Sequence, residues 1–358
     1  MNDPRVLIIG TGLIGTSIGL ALQAAGWQVD LADRDEDSAA TAVARGAGRH
    51  RREDDPDPDL VLVCVPPRHV VDVAIASLSR WPRAVVTDVA SVKVPVLAGL
   101  QERAGAALSR FVGGHPMAGR EVTGPGGAMP ELFRDRPWIL TPSSTTEPAA
   151  MAVVMRLVAA VGAIPLELAA DEHDRAVALT SHTPQVLASL LAARLNAAAP
   201  EQVVVSGQGL RDTIRIAGSD PDLWSEILIA NAGPVVAELE CLAGDLEQLI
   251  HELRAGGQRG RAAVFSAVSE GRRGAARLPG KHGAATERYR AVKVAVPDEP
   301  GALANLFAAA AAAAVNLEDV RIEHTLGRPT GLVELSVAPD SAAELTSALE
   351  SGGWSLRA

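Results

Sequence analysis

The stretch Arg5-Val6-Leu7-Ile8-Ile9-Gly10-Thr11-Gly12-Leu13-Ile14-Gly15-Thr16 decides the fold of the first part of the chain. Residues 6–9 are continuously apolar, as expected of a strand buried on both faces of a parallel sheet. The glycines follow in the spacing G-x-G-x-x-G. The first permits a tight turn, the second lets the backbone approach a pyrophosphate, and the third lets the next helix pack on the strand. A helix over 16–25 completes a predicted dinucleotide-binding βα unit.

The residues after the turn bear on which dinucleotide binds. N–H groups at the start of the helix, such as those of Leu13 and Ile14, would face the phosphates. A second strand at 28–32 ends at Asp33, whose carboxylate can accept both ribose hydroxyls and would repel a 2′-phosphate. Arg34 comes next and could pair with such a phosphate. NAD is therefore the favoured cofactor, with NADP left open.

Composition bounds the class of protein. The chain has 358 residues, 47% of them hydrophobic, and a net charge of −10, which predicts two or three domains and argues against a nucleic-acid surface. The N-terminus runs directly into a predicted strand, and the apolar stretches are too short for a bilayer, so neither a signal peptide nor a membrane is expected. Cys64 and Cys241 are predicted to be buried thiols in a reducing cytoplasm, and no spacing indicates a metal site.

The order of elements predicts an α/β chain of three domains. Strands and helices alternate over 1–168, which is typical of a doubly wound Rossmann sheet. Long helices at 171–195, interrupted by Pro184, and at 222–254 fill a helical domain at 169–279. Their apolar faces need each other and a second subunit, so we expect a homodimer. A linker at 280–288 then leads to a βαββα unit at 289–358, a small α+β sandwich.

Three predicted strand ends carry candidate chemistry, because ligands of a doubly wound sheet bind outside the carboxyl ends of its strands. Val65 and Pro66 end the strand 60–65 and could lie against a nicotinamide, or form only a rigid turn. Ser91 follows the strand 84–89, and could cap the next helix or hydrogen-bond a catalytic imidazole or the cofactor amide.

The third strand end holds the candidate base. His115 stands between two glycines and a proline after the strand 110–113, with little helix or strand to stabilise. An imidazole is the usual general base near neutral pH, and an ordinary loop histidine is the alternative. Glu121 could couple with neighbouring charges or be exposed.

The helical region adds candidate substrate contacts. His182 and Gln185 share a helix face, and a hydrogen-bonded core pair is the alternative to a binding role. Arg215 lies in an apolar segment, where an unpaired guanidinium would be costly. It is expected to be buried and to need an anion, such as a substrate carboxylate held by a bidentate pair, with Asp212 or Asp220 as competing partners.

At these residues the chain resembles the prephenate dehydrogenase family, which includes arogenate and cyclohexadienyl dehydrogenases. The similar features are the glycine turn with Asp33, segments 88–93 and 113–121, Ser181-His182-x-Pro184, and 213–221 followed by Trp224. Segment 298–303 resembles the start of an ACT domain, which implies a ferredoxin-like unit and an amino-acid effector such as tyrosine. The resemblance also implies an active site between a Rossmann domain and a helical dimerisation domain.

The implied reaction is NAD-dependent oxidative decarboxylation of prephenate to 4-hydroxyphenylpyruvate in tyrosine biosynthesis. By this resemblance His115 would accept the proton of the ring 4-hydroxyl, and Ser91 would bridge His115 and the nicotinamide. The substrate-binding residues would be Arg215 for a carboxylate, His182 in the pocket wall, and Glu121 as a restriction of the pocket. Gln185 stands where many prephenate-using members have a second histidine. A neutral amide there could tolerate the ammonium of arogenate, which is the alternative substrate.

Overall fold

The structure, a computed structural model, describes residues 4–120, 122–278, 289–324 and 330–357. Two compact units make up the chain, one ending at Gly244 and one beginning at Asp245. The predicted linker 280–288 and Glu121 lie outside the described residues. The predicted three-domain division therefore stays a prediction.

The first unit is built on an eight-stranded sheet. Its strands are β1 (Arg5–Ile9), β2 (Gln28–Ala32), β3 (Arg49–His50), β4 (Leu60–Val63), β5 (Val85–Asp88), β6 (Phe111–Pro116), β7 (Pro137–Thr141) and β8 (Ile164–Glu167), in the order β3-β2-β1-β4-β5-β6-β7-β8. All neighbouring strands are parallel except β6 and β7, which pair antiparallel. The predicted Rossmann-like sheet is confirmed, with one antiparallel pair that the alternation of elements does not reveal.

Helices cover both faces of this sheet. They are α1 (Leu13–Ala24), α2 (Glu36–Ala44), α3 (Pro67–Arg80), α4 (Val94–Arg103) and α5 (Pro148–Ala160). Alternate residues of β1 point to opposite faces, so Val6 and Ile8 join the core with α1 and α5 while Leu7 joins the core with α3 and α4. Burial on both faces explains why β1 is apolar without interruption.

The remainder of the first unit is helical, and its helices are shorter than predicted. They are α6 (Ala170–Val177), α7 (Thr183–Arg194), α8 (Pro200–Val203), α9 (Gln208–Ile214) and α10 (Pro221–Ala230), followed by α11 (Ala232–Ala255), which continues into the second unit. The predicted helix 171–195 is divided by a π-helix at Ala178–His182, which ends two residues before Pro184, a residue that lacks an N–H.

The predicted helix 222–254 is also two helices. α10 and α11 meet at an angle of 92° around Asn231. Pro234 in the first turn of α11 cannot donate a hydrogen bond back into α10, which favours a break there. Among the described residues no single helix is long and apolar enough to cross a membrane. α10 and α11 reach that length and hydropathy only when the two helices are counted together.

The second unit contains α12 (Gly257–Ala275) and a four-stranded antiparallel sheet. The sheet order is β10-β11-β9-β12, formed by β9 (Arg290–Pro297), β10 (Asp319–His324), β11 (Thr330–Val337) and β12 (Ser355–Arg357), with α13 (Ala302–Ala312) and α14 (Ala342–Ser351) between strands. The predicted βαββα order is confirmed, and β12 extends it. Buried Val294, Leu306, Leu335 and Leu345 give this sheet and its two helices a core of their own.

Candidate active site

The glycine turn leaves an open space in front of α1. Gly10 has a φ of +100°, and a Cβ on it would lie 2.3 Å from the carbonyl oxygen of Cys64. A Cβ on Gly15 would lie 2.0 Å from the Gly10 oxygen, whereas a Cβ on Gly12 would meet nothing within 4 Å. Gly10 and Gly15 are therefore required by packing, and Gly12 borders the space where the α1 N-terminus can bind a pyrophosphate.

Asp33 is tied to this turn. One carboxylate oxygen accepts hydrogen bonds from the Thr11 amide at 2.6 Å and the Thr11 hydroxyl at 2.9 Å, and the other accepts from the Asp35 amide at 2.9 Å. Partial burial would raise the pKa of Asp33, but these hydrogen bonds outweigh it and the pKa is lowered. Asp33 therefore places a negative charge at the end of β2, beside exposed Arg34, as expected for NAD selection.

Val65 and Pro66 border the same turn. β4 ends at Val63, two residues earlier than predicted, and Pro66 is the residue before α3. A Cβ on Gly10 would lie 3.1 Å from the Val65 amide nitrogen, which shows how closely the backbones after β1 and β4 approach. The two segments predicted to contact the cofactor are thus brought together.

His115 lies within a strand, so its predicted placement in a loop is wrong. It belongs to β6 and is paired with Ile139 of antiparallel β7. The glycines before His115 have low strand propensity, so the sequence does not predict this pairing. Its Nδ1 is 2.8 Å from Nε2 of His173, and Nδ1 of His173 is 2.7 Å from an Asp174 carboxylate oxygen. His115 is thus held in the structure from both backbone and side chain.

The surroundings of His115 favour its neutral form. Burial, followed by the electrostatic effects of the neighbouring His173, Lys93 and His182 side chains, lowers the pKa of His115 well below 6.5. The ring is therefore unprotonated at neutral pH, as a general base must be.

A buried ion pair fixes the peptide before His115. Lys93 and Asp88 are 1% and 0% exposed and contact each other directly. The Lys93 ammonium also donates to the Gly114 carbonyl at 2.7 Å, and Asp88 accepts the Gly114 amide at 3.1 Å. Burial lowers the pKa of Lys93, an effect that the adjacent Asp88 opposes. Both polar groups of Gly114 are thereby held in place.

Ser91 does not cap a helix. α4 begins at Val94, and the amides of Lys93 and Val94 each donate to the Asp174 carboxylate at 2.8 Å. Asp174 thus takes the capping role that Ser91 could have had. The half-buried Ser91 hydroxyl has no hydrogen-bond partner within the described ranges of the chain.

His182 is buried and neutral. Burial lowers its pKa to about 4, against the opposing effect of Asp174. The Asn231 amide nitrogen donates to the Asp174 carbonyl at 2.8 Å and lies 3.0 Å from Nδ1 of His182. Because this nitrogen is a donor, Nδ1 accepts and the proton of His182 is on Nε2. The ring, which meets Trp224 edge to face, thus keeps one donor.

Gln185 is hydrogen-bonded to the turn that contains Arg215. Buried Gln185 donates to the Ile216 carbonyl at 3.0 Å and so holds the 3-10 turn Arg215–Gly218. Gln185 and His182 are both buried and hydrogen-bonded, as the core alternative expects, although to different partners and not to each other. Arg215 is exposed, which contradicts the expected burial, whereas the neighbouring Ile216 is half-buried.

Three site residues escaped the sequence reasoning: His173, Asp174 and Asn231. One signal could have found two of them. Ala170, His173, Asp174 and Val177 are the buried face of α6, and two polar residues at such helical spacing indicate internal hydrogen bonding. No local pattern marks Asn231. Cys241 is exposed, so the prediction of two buried thiols is wrong for that residue.

Comparison with known proteins agrees with this geometry. Residues 18–165 match the family model of the prephenate dehydrogenase nucleotide-binding domain, and residues 169–265 match that of the dimerization domain. A probable prephenate dehydrogenase of Streptomyces niveus is 40% identical over 97% of this chain and 98% of its own length. A cyclohexadienyl dehydrogenase of Zymomonas mobilis is 34% identical over 68% of this chain and 87% of its own length.

A solved structure shares the architecture. The prephenate dehydrogenase of A. aeolicus in complex with hydroxyphenyl propionate and NAD+ aligns with a TM-score of 0.67 at 28% identity, covering 77% of this chain and 99% of that one. The fold and the site therefore define an NAD-dependent oxidoreductase. The chain belongs to the prephenate dehydrogenase family.

Proposed function

We propose that this protein catalyses the NAD-dependent oxidative decarboxylation of prephenate to 4-hydroxyphenylpyruvate. The observation that carries the proposal is His115, an imidazole kept neutral at the end of β6 and hydrogen-bonded through Nδ1 to His173. When a hydride is transferred from an alcohol carbon, a base must remove the proton of the hydroxyl group. A base at the carboxyl ends of the strands of a nucleotide-binding sheet lies where the cofactor binds. Membership of the family supplies the substrate class.

In the proposed mechanism, Nε2 of His115 removes the proton of the ring 4-hydroxyl. The glycine turn and Asp33 would hold NAD, which would supply the acceptor for the hydride of the same carbon. The ring becomes a dienone that loses CO2 to give an aromatic phenol, so the step is effectively irreversible. The Ser91 hydroxyl would be available to the cofactor amide rather than to His115, whose Nδ1 is already paired with His173. Val65 and Pro66 would border the nicotinamide side. His182 donates from Nε2 toward the substrate.

Steady-state assays of the purified full-length chain test this function. Prephenate and arogenate are each paired with NAD and NADP in a four-way comparison. The highest kcat/KM is expected for prephenate with NAD, because Asp33 disfavours a 2′-phosphate. A larger kcat/KM with arogenate would contradict the substrate, and turnover of neither compound would contradict the function.

The pH dependence of kcat/KM is expected to follow the free imidazole of His115. Protonation inactivates a base, so a lowered pKa moves the acidic loss of activity to lower pH. The value of kcat/KM with prephenate should stay level from pH 8 down through 6.5 and fall only in more acidic buffer. An acidic limb centred at or above pH 6.5 would contradict the neutral base.

Arg215 is proposed to hold a substrate carboxylate through its planar guanidinium. Arg215→Ala is expected to raise KM for prephenate by about 10- to 100-fold, since a bidentate charge-assisted pair is lost. Arg211→Ala, which removes an exposed arginine one helical turn earlier, is the matched control and should leave KM unchanged. Equal KM values for the two variants would remove Arg215 from the substrate site.

The assembly proposed is a homodimer through the helical region. The match to a dimerization domain supports it, as do apolar side chains left exposed on α11 and α12. They include Leu246, Leu253, Phe265 and Val268, the last two 74% and 67% exposed. Faces of this kind are commonly covered by a partner. Sedimentation equilibrium of the full-length chain should give twice the chain mass, and a monomer at micromolar concentration would contradict the dimer.

The C-terminal β-sheet unit is proposed to be ACT-like, with a ferredoxin-like fold, and to bind an aromatic amino acid near segment 298–303. The β-α-β-β-α-β order of this unit supports the proposal. Calorimetry of the full-length chain with tyrosine, phenylalanine and tryptophan tests it, and no heat with any of the three would oppose it.

A cytoplasmic location is proposed because both cysteines are free thiols.

A further inference from the structure

His115 begins a chain of three hydrogen-bonded side chains. The distances are 2.8 Å from His115 to His173 and 2.7 Å from His173 to Asp174, and the two rings meet edge to face with centroids 5.1 Å apart. His173 and Asp174 are 0% and 2% exposed. Both side chains are shielded from the surface, where polar groups are as a rule hydrogen-bonded within the protein.

The direction of each hydrogen bond follows from the last member of the chain. Both carboxylate oxygens of Asp174 receive backbone N–H groups, from Lys93 and from Val94. A carboxylate in that position can only accept, so Nδ1 of His173 carries a proton and donates it to Asp174. Nε2 of a neutral His173 is then an acceptor.

The same reasoning sets the proton of His115. Because Nε2 of His173 accepts, Nδ1 of His115 must carry its proton and donate it. The lone pair of His115 is therefore on Nε2, the nitrogen that is left for the substrate. In the opposite tautomer Nε2 would carry a proton and could not act as a base.

We propose that His173 and Asp174 are positioning residues that hold His115 in the tautomer whose Nε2 can accept the substrate proton. The inference rests on the proposed function, in which His115 is the base. As the substrate O–H bond breaks, its electron pair stays on oxygen and an N–H bond forms at Nε2. The imidazolium keeps its Nδ1–H bond to His173, and the Asp174 carboxylate lies one ring away, where its negative charge stabilises the positive one.

A purely structural role is the competing explanation, because Asp174 also caps α4 and its carbonyl accepts the Asn231 amide. His173 separates the two explanations. The hydrogen bonds of its ring go only to His115 and Asp174 within the described ranges, so changing it leaves the cap of α4 intact.

The tautomer can be observed directly in the wild-type protein. Long-range ¹H–¹⁵N NMR of the full-length chain with ¹⁵N-labelled histidine distinguishes a protonated ring nitrogen from an unprotonated one, and the His115→Asn spectrum assigns the His115 signals. At pH 7.5 we expect Nδ1 of His115 to be protonated and Nε2 to be bare. A protonated Nε2 would overturn the proposal, whatever the enzyme's activity.

Kinetics of His173 variants give the second readout. His173→Phe keeps an aromatic ring without hydrogen bonds, and should lower kcat with prephenate about 100-fold or more with little change in KM. His173→Gln has a carbonyl oxygen that can still accept from His115, and should lose only about 10-fold. His50→Phe, at an exposed histidine of β3, is the control and should match the wild type.

The outcomes are distinguishable. Equal kcat for His173→Phe and the wild type would overturn the proposal, as would an equal loss in the Phe and Gln variants. A wild-type protein that does not oxidise prephenate would instead refute the proposed function, and the NMR measurement would still decide the tautomer. The same measurement decides it if His173→Phe fails to fold.

Discussion

Replacing His115 with asparagine is expected to lower kcat with prephenate by about 10³-fold or more, because the variant has no group that can take the hydroxyl proton. The affinity for NAD should stay within about twofold of the wild type, since the phosphate-binding turn lies at the ends of β1 and β4, on residues other than β6. Initial rates and NAD titration by intrinsic fluorescence measure the two quantities on the same preparation.

The comparison needs a histidine that lies outside the site. His50→Asn serves as that control, because His50 is exposed at the end of the two-residue strand β3. Its kcat should be unchanged. If His115→Asn retains more than a tenth of the wild-type kcat, the base is another group and the mechanism proposed above fails. A loss of NAD affinity together with activity would point to misfolding instead.

Gly15→Ala is expected to destabilise the protein by about 3 kcal/mol or more, because the added Cβ would meet the Gly10 carbonyl oxygen at 2.0 Å. In an open helix the same change stabilises by about 0.5–1 kcal/mol. The clash is with backbone, which cannot rotate away as a side chain can, so the steric effect decides the sign. Urea unfolding followed by circular dichroism gives the free energy of unfolding.

Gly12→Ala is the matched variant within the same turn. Gly12 has a φ of −68°, which alanine adopts readily, and its added Cβ would meet no atom within 4 Å. The folded protein should therefore keep its stability. The methyl group would instead enter the space in front of α1 and raise the Kd for NAD by about 10-fold or more, since close backbone approach to the pyrophosphate is lost. A stable Gly15→Ala variant, or a Gly12→Ala variant with wild-type affinity, would contradict this division of roles.

The parts of the candidate site that are formed by residues close together in the chain were recognisable in the sequence. The strand, the glycine turn and Asp33 fall within about thirty residues, and each has a local reason to be there. The order of strands and helices follows from periodicity in the same way. His115 could be picked out as a candidate base, although its glycine-rich surroundings wrongly suggested a loop where the structure has a strand.

Tertiary structure alone decided how that base is held. His173 is 58 residues from His115, and Asp174 is 81 residues from the Lys93 amide that it accepts. The antiparallel pairing of β6 and β7, the bend at Asn231 and the exposure of Arg215 likewise depend on which segments pack together.

Local sequence patterns were enough to predict the nucleotide-binding turn and the alternation of strands and helices, and to single out His115 as the candidate base. Packing fixed the surroundings of His115, and the proposed tautomer of its ring is inferred from them. The physical reason is that propensity and periodicity act over a few neighbouring residues. The direction of a buried hydrogen bond depends on partners that only packing brings within 3 Å.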